Sequence, residues 1–130
     1  MNTTPEGLRE RVKELHNRYD LAYEEIAWMI GADSLNFEQW RKGLAFSRNP
    51  SNPSYEQRLW RLFEIINALT SLVEDRGKVR WHLFARFPGH YDRPLRGAMP
   101  CDLLHVRCDH RKVLGALVER ATQMQVSRTG

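Results

Sequence analysis

The chain has 130 residues, 42% apolar and 28% charged, with net charge +4. This balance fits one ordinary domain, or two small halves sharing a core, and excludes a disordered chain. The charge is uneven: residues 1–78 hold 11 Lys+Arg against 12 Asp+Glu, and residues 79–130 hold 9 against 4. The longest apolar run, LFEIINALTSLV at 62–73, contains Glu64 and is too short to span a bilayer. The opening MNTTPEGLRERVKELH lacks the apolar segment of a secretory signal, so a cytoplasmic location is expected and no membrane partner. Cys101 and Cys108 do not make a disulfide framework in such a chain.

Leu8, Val12, Leu15 and Tyr19 recur on one face of a helix that Thr4 and Pro5 begin. A second helix is predicted over 22–30, ending at Gly31. A third follows over 34–42, with Asp33 or Ser34 as N-cap and Gly43 as its stop. Ala27, Gly31, Phe37 and Trp40 then hold the places of a helix-turn-helix, and Ile26 and Ile30 complete its buried face. Two helices that cross closely need a small contact residue and a left-handed turn, which glycine supplies.

If the second helix of this unit enters a DNA groove, its exposed start carries Asp33, Ser34, Leu35, Glu38 and Gln39, with Asn36 beside them. Asn36 and Gln39 suit adenine and Glu38 suits cytosine, while Arg41, Lys42 and Arg48 suit phosphates. Asp33 and Glu38 oppose a phosphate backbone. The basic surplus lies in the other half of the chain, which points to a second partner there. Operator binding through a dimer and a purely structural or dimerising role both remain open for this unit.

SRNPSNPS at 47–54 reads as a loop. A long helix is predicted from Ser54 to Glu74, with Leu59, Leu62, Phe63, Ile66, Leu69 and Val73 as its stripe, widened by Trp60, Ile65 and Leu72. Apolar on more than one side, it is expected to be central and to contribute to a homodimer. Asp75-Arg76-Gly77-Lys78 reads as a break, followed by a helical piece over 79–87 and a thirteen-residue loop, PGHYDRPLRGAMP, at 88–100. Pro100 starts a short helix, and a last helix runs from His110 to Met124 on Val113, Leu114, Leu117, Val118 and Ala121. The tail from Gln125 is expected to be free. No strand pattern appears. The expected fold is mainly α: an N-terminal helix-turn-helix bundle over 1–53, a long central helix over 54–78, and a small helical C-terminal unit over 79–130.

Cys101, His105 and Cys108 recur at i, i+4 and i+7, with His110 nearby. They lack the close cysteine pair of structural zinc sites, so free cysteines and no metal are expected. His82, His90 and His105 have no nucleophile motif beside them, and no glycine-rich phosphate loop occurs, so neither an enzyme nor a cofactor is expected. Trp28, Trp40, Trp60 and Trp81 fall in helices and read as core.

Two further blocks, YEQRLWRLFEIINALTSLVEDRGKVRWHL (55–83) and RPLRGAMPCDLLHVRCDHRKVLGALVERA (93–121), carry a resemblance. Gln57-Arg58-Leu59, Glu74-Asp75, Trp81, Gly97, Pro100 and Asp102-Leu103-Leu104 follow the order of the Xre/MbcA/ParS family of antitoxins, and with the helix-turn-helix the chain resembles that family over nearly its whole length. Cys101 departs from it, standing where the family prefers an aliphatic residue. The resemblance implies a non-enzymatic antitoxin of a type II toxin–antitoxin system. Its partner would be a RES-domain, NAD-depleting toxin, neutralised by the C-terminal unit and tail. The helix-turn-helix would autorepress the operon. Arg86, Arg93, Arg96 and Arg128, with Tyr91 and Met99 as apolar contacts, are the expected toxin-binding residues. The alternative is a free-standing Xre-like transcriptional regulator with no toxin partner.

Overall fold

Seven α-helices and no strand are found among the described residues of the computed structural model, which are 4–46, 54–107 and 109–129, the last four by backbone alone. They are α1 Pro5–Tyr19, α2 Tyr23–Ile30, α3 Ser34–Arg41, α4 Tyr55–Leu72, α5 Arg76–Phe84, α6 Pro100–His105 and α7 His110–Thr129. The chain is mainly α, as its periodicities predict.

Local chemistry sets most helix starts. Thr4 caps α1 by accepting from the Gly7 amide at 3.1 Å, with Pro5 in the first turn where its missing N–H costs nothing. Asp33 caps α3 by accepting from the Asn36 amide at 2.7 Å. Ser54 and Gln57 cap α4 reciprocally, at 3.2 and 3.1 Å. The remainder of the loop expected at 47–54 lies outside the described residues.

Two helices, α5 and α7, differ most in extent from the sequence reading. α5 begins at Arg76 rather than 79, because Asp75 accepts from the Gly77 amide at 2.8 Å and turns the supposed break into a helix cap. It ends at Phe84, since Ala85 is extended. α7 runs to Thr129, past the predicted stop at Met124, so the expected free tail is helical backbone to that point. The Gln125 side chain donates to the Leu72 carbonyl and so ties α7 to the end of α4.

α4 is central: it packs on α7, α2, α5 and α1. Leu59, Leu62, Ile65, Ile66 and Leu69 of α4 are almost wholly buried, and truncating one to alanine costs about 2–5 kcal/mol. One continuous cluster of buried side chains runs from Leu8 in α1 to Ala121 in α7 and so passes through all three sequence segments. No described helix is long and apolar enough to cross a membrane.

Candidate functional site

The α2–α3 pair meets at Gly31, whose φ of +76° is the left-handed turn a glycine takes without strain. The Gly31 and Ala32 amides close the end of α2 on the carbonyls of Trp28 and Ala27. Ile26, Ala27, Ile30, Phe37 and Trp40 are all buried, the arrangement their spacing predicts. Trp40 stacks on Phe46 at 5.0 Å, and Arg9 of α1 donates to the Trp40 carbonyl at 2.5 Å while lying over its ring.

Ser34, Leu35, Glu38 and Lys42 form the exposed side of α3, with Gln39 and Arg41 half-buried beside them. Lys42 pairs with Glu38 at 3.5 Å, and the Arg41 guanidinium lies 3.2 Å from the centre of the Tyr23 ring. Asn36 is a correction to the sequence reading: only 3% exposed, it sits in phase with Trp40 on the buried side of α3 and does not face outward. Arg48 lies outside the described residues.

In the C-terminal half the long loop is closed at its neck. The Phe87 amide donates to the Ala98 carbonyl and the Gly97 amide to the Phe87 carbonyl, both at 2.9 Å. Two predicted contact arginines act as staples here. Arg86 donates to the Gly97 carbonyl at 2.9 Å, and Arg96 to the Tyr91 carbonyl at 3.2 Å, while both side chains stay exposed. Arg93 is exposed on the loop, and Met99 is half-buried at the cap of α6. Tyr91 is a second correction. It packs inward against Phe87 with its hydroxyl buried, so it anchors the loop rather than offering a surface contact. Burial pushes its pKa upward. The Arg128 side chain lies outside the described residues.

Two polar joints that the sequence reading missed bind the halves together. Arg80 of α5 makes a two-pronged ion pair with Glu25 of α2, at 2.5 and 2.8 Å. Its hydrogen bonds hold the Glu25 carboxyl below its usual pKa. Trp28, 46% exposed, lies flat on His105 of α6 at 3.5 Å and donates to Asp102 at 3.0 Å, and the His105 ring meets the Trp28 carbonyl at 2.9 Å. Trp28 is therefore an interhelical clasp on the surface, not core. Trp81, also exposed, lies beneath Arg120.

Arg58 of α4 and Arg120 of α7 are buried. Arg58 donates to the last carbonyls of α6, Leu104 at 2.5 Å and His105 at 3.2 Å, which supplies the capping that a helix end needs. Arg120 donates to the carbonyls of His82 at 2.6 Å and Ala85 at 2.9 Å, and to the His82 ring at 3.3 Å. A signal for both was present: Arg58 is in phase with Leu62, Ile65 and Leu69, and Arg120 with Val113 and Leu117. An arginine in phase with an apolar stripe is turned inward, and once buried it needs hydrogen-bond partners.

Cys101 is buried in α6, and its thiol is pushed up to about 11, first by burial and then by Asp102. Cys108 lies outside the described residues. Among the described residues no group of three metal-ligating side chains comes together.

No protein-family model matches the sequence, and no curated protein matches it. Among solved structures, the chain is similar to a chain of the crystal structure of the M. tuberculosis MbcT–MbcA toxin–antitoxin complex, with a TM-score of 0.60 and 23% identity over 89% of this chain and 94% of that one. At that identity the similarity is one of fold, and it extends over the helices of both halves.

Proposed function

We propose that this protein is the antitoxin of a type II toxin–antitoxin pair, a non-enzymatic protein that binds its toxin through residues 79–130. The observation that carries the reading is the likeness in fold, over 89% of the chain, to a chain of a toxin–antitoxin complex. The sequence resemblance to Xre/MbcA/ParS antitoxins names the side of the pair, and it names the toxin class as RES-domain and NAD-depleting. The toxin-binding face is built on the stapled loop, with Arg93 free at its surface and Arg86, Arg96 and Met99 around it. A basic loop of this kind suits an anionic or acidic cleft on the toxin.

The α2–α3 unit is read as an operator-binding helix-turn-helix that autorepresses the operon, with Ser34, Glu38, Gln39, Arg41 and Lys42 toward DNA. Its near-neutral charge makes a single copy a weak binder, so a homodimer presents two.

The test is co-purification of the tagged chain, expressed from its native locus with both neighbouring reading frames intact. A stoichiometric partner that becomes toxic when this chain is deleted supports the antitoxin reading. A chain that purifies alone beside harmless neighbours overturns it in favour of a free-standing DNA-binding regulator.

A further inference from the structure

A pocket of about 50 Å³ opens where α4, the end of α2 and the α6–α7 junction meet. Its polar lining is Arg58, Arg61, Arg107 and His110, over a floor that includes Met29 and Leu104, and among the described residues no carboxylate lines it. Glu64 reaches the rim, 3.8 Å from His110, and is mostly exposed.

Arg58 is only 7% exposed. It commits Nη2 to the Leu104 and His105 carbonyls, and among the described residues its Nε and Nη1 have no acceptor. The side chains of Arg61 and Arg107 likewise meet no carboxylate among the described residues. Like charges gathered without a counter-charge disfavour their own protonation. Arg58 shows this, pushed down to about 10 by burial first, then by Arg107, with Arg61 adding. Arg107 also holds a left-handed backbone, φ 61°, at a helix end where glycine sits without strain. The chain keeps a guanidinium there despite that strain.

We propose that Arg58, Arg61 and Arg107 form a binding site for a tetrahedral oxyanion, either inorganic phosphate or the phosphoryl group of a phosphomonoester. Guanidinium forks match the oxygens of such a group in geometry as well as in charge. At about 50 Å³ the pocket is of the size of a phosphoryl group and too small to enclose a nucleoside as well. The bound anion supplies the missing counter-charge and ties α4 to the α6–α7 junction. This site is independent of the antitoxin reading and of the stapled loop.

The test is calorimetric titration of the full chain with inorganic phosphate and, separately, with AMP, at constant ionic strength in chloride. The variants are Arg107→Gly, which relieves the left-handed residue and so folds, and Arg61→Gln on the half-exposed side of α4. Arg76→Gln, on the exposed start of α5, controls for net charge. The expected result is saturable binding that weakens at least tenfold in Arg107→Gly and in Arg61→Gln and is unchanged in Arg76→Gln. Phosphate binding alone assigns the free anion as ligand, and AMP binding lost in the same variants assigns a phosphomonoester. No saturable binding of either ligand, or equal binding by all the proteins, overturns the proposal.

Discussion

His82 is a buried imidazole that must stay neutral, and acid tests it. It is 1% exposed, and Arg120 donates to its Nδ1 at 3.3 Å, so that nitrogen keeps its lone pair and the proton sits on Nε2. Protonation replaces the hydrogen bond with two cations in contact. Burial first, then the Arg120 charge, lowers its pKa from 6.5 to about 4. Below 6.5 the unfolded chain takes up a proton that the folded chain refuses, so stability is full above that pH and falls as pH drops toward 4. The loss from this group is about 1 kcal/mol at pH 5.5 and about 2–3 kcal/mol at pH 4.5. Other groups titrate in the same range, so the measurement is a difference. Urea unfolding of the natural chain and of His82→Gln, which keeps an acceptor for Arg120 but cannot titrate, is followed at pH 7.5, 5.5 and 4.5. The stability gap between the two proteins is expected to narrow, or reverse, by the amounts above as pH falls. A gap independent of pH means His82 is not held neutral and refutes the reasoning.

Gly31→Ala places a Cβ 2.2 Å from Arg58 Nη1 at a φ of +76°, and is expected to cost about 3 kcal/mol, part backbone strain and part loss of the Arg58 bonds to α6. A urea midpoint showing a loss of only about 1–2 kcal/mol, the backbone strain alone, means that Arg58 moves aside. A double-mutant cycle of Glu25→Gln and Arg80→Met is expected to give a coupling of about 1 kcal/mol, modest because both side chains keep solvent contact. Additive effects place no energy in that joint. Arg93→Glu with Arg96→Glu is expected to abolish toxin neutralisation in a growth assay while the thermal midpoint stays within a few degrees, and full protection by this variant sinks the assignment of the loop. Arg41→Ala with Lys42→Ala is expected to weaken DNA binding at all sequences and to flatten its salt dependence. Unaltered affinity in a fluorescence titration places those residues away from phosphate.

Where a pattern is local, the sequence alone determined the outcome. The caps at Thr4, Asp33 and Ser54 need only a side-chain oxygen beside a free amide, and the stripes of α1 and α4 need only a 3.6-residue period. The Gly31 turn and the buried set Ala27, Phe37 and Trp40 follow from how closely two helices must cross. The cap at Asp75 is equally local, but a glycine within a charge run has the look of a break. The tertiary structure decided which polar residues serve as cement. Tyr91 and Asn36 look like surface ligands in a string of letters, yet one fills the interior of a loop and the other the underside of α3. Trp28 looks like core, yet it lies on the outside because His105, 77 residues away, offers it a flat face. Arg58 and Arg120 are buried because carbonyls of α6 and of the end of α5 happen to point at them. Periodicity reports which face of a helix is turned inward. It does not report what stands opposite, and whether a charge is buried or free depends on that distant partner.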